Sequence, residues 1–298
     1  MIELHHVSKQ FGMNEAVKDV SLTVRQGEIF GLVGPDGAGK TTIIRMIAGI
    51  LDPSQGDVIL LGSTNPEQVK VHLGYVPQKF SLYGDLTVME NIQLMGALYG
   101  VQRSQVDSLA KQTLAFTNLL PFKDRLADHL SGGMKQKLAL AAGLMHRPKV
   151  FFLDEPTTGV DPVSRREFWQ MLYGLNKEGM TVFVSTPYMD EAELCTRIAF
   201  MHKGKIVTCN TPQELKSAYP YQVLELVVNQ KGIQSVLASC PIVDINAFGE
   251  KYHLIVHEAT AAEQAVRQAL VQAGVTILSL SEISPTLEDV FVALAGEV

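Results

Sequence analysis

Three short stretches carry residue types and spacings that could do phosphate chemistry. Gly34-Pro35-Asp36-Gly37-Ala38-Gly39-Lys40-Thr41-Thr42 fits G-x-x-x-x-G-K-[ST]. Its glycines let backbone N–H groups turn toward phosphate oxygens, where a Cβ would intrude. Lys40 is expected to reach the β- and γ-phosphates and the Thr41 hydroxyl to ligate Mg²⁺, with the whole of Gly34–Thr42 as nucleotide-binding loop. The apolar run Val150-Phe151-Phe152-Leu153 ends in Asp154-Glu155. An Asp at a strand end beside such a loop is where Mg²⁺ is held, and the adjacent Glu155 is placed to polarise an attacking water. Leu130-Ser131-Gly132-Gly133-Met134-Lys135-Gln136 opens a helical pattern. Ser131 is a good N-cap and Gly132-Gly133 expose backbone N–H groups, which makes a second anion site at a helix start.

These groups need a scaffold. The apolar run Ile29–Val33 predicts a strand before the glycine loop. Ile43, Ile44, Ile47, Ala48 and Leu51 predict a helix after it, stopped by Asp52-Pro53-Ser54. Residues 2–33 read as β, with Phe11-Gly12 in a loop. Three helical patterns between about 87 and 146 look like an insertion into a sheet domain. Val150–Asp154 and Thr181–Thr186 are apolar strands of the kind buried on both faces of a parallel sheet, with a helix over Pro162–Lys177 between them. Near Tyr219-Pro220 the pattern restarts in the order β-α-β-β-α-β, which is ferredoxin-like. The expected domains are 1–215, with the helical insertion at about 87–146, and 216–298.

Composition bounds the function. Of 298 residues, 46% are apolar and 19% charged, which supports a sizeable core and argues against disorder. With 25 basic against 31 acidic residues the net charge is −6, and no nucleic-acid partner is expected. Three scattered cysteines suggest neither a disulfide framework nor a zinc site, and point to a reducing compartment. No signal peptide and no run of membrane-spanning length is read, so a soluble chain is expected whose membrane role would need a partner. His5 and His6 are neighbours on a strand and should point oppositely, which disfavours a shared metal.

Taken together, the chain resembles the nucleotide-binding subunit of an ABC transporter, most nearly those of bacterial exporters whose permease is a separate chain. The resemblance covers roughly residues 1–215. Gly34–Thr42 matches the Walker A motif, Val150–Glu155 the Walker B motif, and Leu130–Gln136 the family signature with Met134 where Gln is usual. Gln78 matches the Q-loop glutamine, which in the family contacts Mg²⁺ and reports to the permease. Gly159-Val160-Asp161 resembles the D-loop, and Phe11 sits where the family stacks an aromatic on adenine. Asp36 replaces a more usual Asn, with its side chain expected to point away from the cradle. Thr286–Phe291 resembles the tail of exporter subunits.

The resemblance implies a P-loop NTPase core with an antiparallel β subdomain and a helical insertion. It implies ATP and Mg²⁺ as ligands, and Glu155, Lys40 and Gln78 as the catalytic set. It also implies permease subunits and a second nucleotide-binding subunit as partners, with each ATP held between the Walker residues of one chain and Ser131-Gly132-Gly133 of the other. Location would be cytoplasmic, peripheral on the inner face of the cell membrane.

One position departs from the family. Where Ser-Thr-His is usual, this chain reads Ser185-Thr186-Pro187. Proline has no side-chain donor and no N–H, so the site lacks the switch histidine. Either Glu155 and Lys40 still support slow hydrolysis, or this chain turns ATP over poorly and lends its Ser-Gly-Gly to an intact site on a different subunit. A soluble ABC-type ATPase acting on ribosomes or DNA, and an ATP-sensing regulatory subunit, are the alternatives from other classes.

Overall fold

The computed structural model describes residues 1–230 and 232–296. The chain divides into two compact units, Met1–Pro212 and a second that begins at Gln213. In the first, β1 (Ile2–Phe11), β2 (Asn14–Val24), β3 (Ile29–Val33), α1 (Lys40–Ile47), β4 (Gln55–Leu60), α2 (Pro66–Val69) and β5 (Leu73–Val76) come first. Helices α3 (Val88–Leu98), α4 (Arg103–Phe116) and α5 (Gly132–Leu144) follow, then β6 (Val150–Asp154), α6 (Pro162–Lys177), β7 (Thr181–Thr186), α7 (Met189–Ala192), β8 (Arg197–His202) and β9 (Lys205–Asn210).

Strands β2-β1-β4 form an antiparallel sheet, and β5-β6-β7-β3-β8-β9 form a six-stranded sheet that is parallel except for β9. Its inner strands β3, β6 and β7 are buried at every position, as their unbroken apolar runs require. Phe30, Phe152 and Phe183 pack there in tilted contact with ring centroids 5.3 and 5.9 Å apart, each burial worth about 1.5–3 kcal/mol. Helices α3, α4 and α5 share a separate apolar cluster that includes Val88, Ile92, Leu114, Leu138 and Met145. Among the described residues no helix is long and apolar enough to cross a membrane.

Two local expectations change. Phe11 is the last residue of β1, paired with Asn14, rather than a loop residue. His5 and His6 do not alternate: a register shift in β1 puts His6 at φ 51°, and both side chains face solvent. They bond apart, His5 to Glu3 at 3.2 Å and His6 to Asp19 at 2.7 Å. Among the described residues no group of His, Cys, Asp or Glu could hold a metal on its own.

Helix α8 (Pro212–Ser217) opens at the last residue of the first stretch. The second unit runs β10 (Gln222–Val228), α9 (Gln234–Leu237), β11 (Asp244–Phe248), β12 (Lys251–Val256), α10 (Ala259–Gln272), β13 (Ile277–Ile283) and α11 (Leu287–Gly296). Its antiparallel order β11-β12-β10-β13 is the ferredoxin-like arrangement. Alternation on β12 sends Tyr252, Leu254 and Val256 into one core with α9 and α10. His253, on the other face, meets Asp289 of α11, Nδ1 to Oδ1 3.0 Å, and the second Asp289 oxygen accepts from the Thr286 hydroxyl at 2.7 Å. Both His253 and Asp289 are buried. Asp289→Ala strips this pair and leaves His253 and Thr286 without their acceptor. The expected loss is about 1–3 kcal/mol, read by denaturant unfolding of the full chain.

Candidate active site

Strand order assembles the site. In the six-stranded sheet β7 lies between β3 and β6, with Thr186 opposite Val33 and Ser185 opposite Asp154. Three adjacent parallel strands therefore end side by side, and the segments leaving their carboxyl ends are the glycine loop, Pro187-Tyr188 and Glu155. A crevice at such strand ends is where open α/β sheets bind ligands. Gly34 donates to the Thr186 carbonyl at 3.3 Å. A Cβ on Gly34 would lie 2.1 Å from the Met201 carbonyl oxygen, and Gly39 has φ 109° as the residue capping α1. Both positions thus require glycine. Asp36 is exposed at the loop's outer edge, Ala38 is buried, and Thr41 and Thr42 are half-buried in the first turn of α1.

Lys40 is buried and turned into the loop. Its Nζ donates to the Gly34 carbonyl at 2.7 Å and the Pro35 carbonyl at 3.0 Å, and pairs with Glu155 Oε1 at 3.1 Å. Gln78, just past β5, donates to Glu155 Oε2 at 2.9 Å. The three residues expected to be catalytic are thus joined through one carboxylate. Glu155 itself sits at φ 48°, a conformation costly for a residue with a Cβ.

Asp154 tests whether a divalent cation fits. Its Oδ1 accepts from the Thr41 hydroxyl at 3.0 Å and the Ser185 hydroxyl at 2.8 Å, while buried Oδ2 has no partner. A buried carboxylate oxygen left free beside a threonine hydroxyl and next to a phosphate cradle suits Mg²⁺, which takes one or two carboxylates together with phosphate oxygens. Burial pushes the Asp154 carboxyl above its ordinary range and the Glu155 charge adds to this, while bonds from Ser185 and Thr41 and the charge of Arg45 oppose it.

With the folded pKa above the unfolded one, the folded chain holds the extra proton, so Asp154's contribution to stability falls as pH rises through that raised value. Cation binding needs the ionised form and strengthens over the same rise. Asp154→Asn should flatten this slope and hold or raise the nucleotide-free melting temperature at pH 7. It should also erase the Mg²⁺-dependent rise in melting temperature with ATP and cut turnover by at least ~10²-fold. Melting curves against pH, with and without Mg-ATP, check it.

Other expected residues lie apart from this cluster. Ser131 caps α5, accepting from Met134 N–H at 3.3 Å, and with Gly132 is exposed. Gly133 packs on α6, where a Cβ would come 2.6 Å from Ser164 Cβ. Among the described residues, none of the hydrogen bonds of 131–133 reaches the glycine loop. Phe11 is half-exposed at the end of β1, with Lys9 Nζ 5.4 Å from its ring centroid. Pro187 occupies the exit of β7. His202 ends β8, which lies across β3 from β7, so it emerges on the other side of the glycine loop.

Sequence reading missed Ser185, which orients Asp154, and Asn91. Buried Asn91 accepts from Tyr83 N–H at 2.9 Å and donates to the carbonyls of Tyr83 at 2.8 Å and Thr87 at 3.0 Å, fixing the 83–87 turn. It also missed Glu191. An Asn or Glu within a helical pattern carries no sequence mark of burial, so neither was visible before packing was known.

Comparison with known proteins agrees with this geometry. The family described as "ABC transporter" matches residues 17–158, and that described as "ATP-binding protein DrrA1-3-like, C-terminal domain" matches residues 211–295. The chain is 41% identical over 309 aligned residues to the "Probable multidrug ABC transporter ATP-binding protein YbhF" of Escherichia coli (strain K12), covering 99% of this chain and 52% of that protein. It therefore spans about half the length of that relative. It is 32% identical to the "Linearmycin resistance ATP-binding protein LnrL" of Bacillus subtilis (strain 168), covering 99% of this chain and 98% of that one. It is 35% identical to the "Nod factor export ATP-binding protein I" of Rhizobium meliloti (strain 1021), covering 99% and 88%. Among solved structures, the dimeric post-hydrolysis state of the ATP-binding cassette MJ0796 bound to ADP and Pi superposes with TM-score 0.66 at 28% identity, covering 71% of this chain and 98% of that one. Full-length similarity of this kind, over a glycine loop, an Asp-Glu strand end and a Ser-Gly-Gly helix start set in the same chain, places the protein in the family of ABC transporter ATP-binding proteins.

Proposed function

We propose that residues 1–215 bind Mg-ATP at Gly34–Thr42 and hydrolyse it, that residues 216–298 form a separate small domain, and that the chain powers export through a separate membrane permease. The observation that carries this is the pairing of Lys40, Glu155 and Gln78 beside the free Asp154 oxygen. The loop N–H groups and Lys40 would oppose the charge of the β- and γ-phosphates. Thr41 and Asp154, with Gln78 adjacent, would hold Mg²⁺, which when bound neutralises charge on the phosphate oxygens. Glu155 Oε1 is paired with Lys40. A γ-phosphate that draws Lys40 away frees Glu155 Oε1 to accept the proton of the attacking water.

No hydrogen bond of Ser131-Gly132-Gly133 among the described residues reaches its own glycine loop, and exposed Ser131 and Gly132 suit a second chain. The dimeric MJ0796 relative supports a head-to-tail pair in which each ATP is closed by the other chain's Ser-Gly-Gly. Export names among the relatives support the direction, and a permease partner implies a peripheral position on the cytoplasmic face of the membrane. The acidic balance supports no nucleic-acid partner. Phe11, half-exposed at the end of β1, is assigned to the adenine.

The test is Mg²⁺-dependent, saturable ATP turnover by the purified chain, with mass measured by light scattering. A chain that neither binds ATP nor pairs in its presence overturns the proposal. A second reading is favoured by Pro187: a low-turnover member of a heterodimer whose partner carries the histidine.

A further inference from the structure

Glu191 is 1% exposed. A carboxylate that far from water is costly unless its oxygens are fully used. Its Oε2 accepts from the Thr186 hydroxyl at 2.6 Å. Its Oε1 accepts from the Thr157 hydroxyl and pairs with Arg165 Nε at 3.3 Å. Its backbone carbonyl faces Cys195 Sγ at 3.6 Å.

These partners come from three segments around the site. Thr157 is two residues past Glu155, in the loop that runs on to Gly159-Val160-Asp161. Thr186 ends β7 and its carbonyl accepts from Gly34 N–H. Arg165 lies in the first turns of α6, pairs also with Asp190 at 3.4 Å, and holds its guanidinium 4.6 Å from the Tyr188 ring centroid. The segment carrying Pro187 is therefore gripped on both sides by groups that answer to one carboxylate.

Glu155 makes that grip consequential. Its left-handed backbone persists only where the surroundings over-determine it. On its N-terminal side it is fixed by its own N–H, which meets the Ser185 carbonyl and hydroxyl, both at 3.1 Å. On its C-terminal side the Thr158 N–H and hydroxyl meet the Glu155 carbonyl and Oε2 at 3.3 and 3.4 Å, and buried Pro156 leads to buried Thr157, whose hydroxyl is held by Glu191.

We propose that Glu191 is a positioning residue for hydrolysis: it ties the 155–161 loop to the β7 end beside the glycine loop, so that Glu155 keeps its aim and movement of residues 159–161 is passed to Pro187. This rests on the ATPase reading. None of the hydrogen bonds and ion pairs of Glu191 reaches Lys40 or Glu155, so its removal leaves the Lys40 cradle whole. Loss should therefore fall on the chemical step and spare binding.

The experiment measures kcat by single-turnover phosphate release and Kd with a fluorescent ATP analogue, on the full chain. Glu191→Gln should lower kcat about tenfold or more with Kd changed less than about twofold. Thr157→Val and Thr186→Val, both near-isosteric, should each lower kcat. The double variant should fall no further than the worse single one, because each breaks the same link. Multiplicative Thr effects, an unchanged kcat in Glu191→Gln, or kcat and Kd worsening together overturn the inference while leaving the ATPase reading intact. Wild-type chain that binds no analogue overturns both.

Discussion

Glu155→Gln should lower ATP turnover by about 10²–10⁴-fold while tightening nucleotide binding by about tenfold. The first effect follows from losing the group proposed to accept the water proton. The second follows from the Lys40–Glu155 ion pair. Lys40 and Glu155 are both buried and 3.1 Å apart, so ATP must separate a formed ion pair before the lysine can reach phosphate. Gln at this position removes the competing charge and leaves Lys40 a buried cation that a phosphate would neutralise. A titration of both chains with Mg-ATP, beside a turnover assay, checks the two effects. Weaker binding with unchanged turnover would show that Glu155 is a structural cap of β6.

Pro187→His should raise turnover by about ten- to a thousandfold, the range typical of one transition-state contact. The geometry permits the swap. Thr186 is extended, as a residue before proline must be, and the Tyr188 N–H bond to the Thr186 hydroxyl at 3.1 Å does not involve position 187. The strand end that delivers this residue lies between β3 and β6, so a donor there emerges between the glycine loop and Glu155. Wild-type turnover that is already fast, with no gain in the variant, would show that another group does the work of the histidine. A gain would instead favour pairing with an intact second subunit, since a homodimer carries the proline twice.

Much of this arrangement was legible in the residues. Val150–Asp154, Pro162–Lys177 and Thr181–Thr186 have the bounds their apolar runs and flanking signals predict: Asp161 caps α6 and Pro162 opens it. The ferredoxin-like order followed from element succession alone. What failed was local or tertiary. Strict alternation misplaced His6 because a bulge breaks period two. The short helix α2 was not read, although Asn65 caps it and Pro66 starts it, because four residues leave no periodicity. Motif spacing placed Lys40, Asp154 and Glu155 together. It did not reveal that Glu155 pairs with Lys40, or that Glu191, beside exposed Asp190, is buried, since burial is decided by distant segments.

The most direct test of the account is single-turnover release of the γ-phosphate from ATP by the purified wild-type chain, with and without Mg²⁺, next to Glu155→Gln and Pro187→His. The account predicts slow, Mg²⁺-dependent release in the wild type, none above background in the first variant and faster release in the second. Equal release in wild type and Glu155→Gln, or no ATP retained by either, would contradict it.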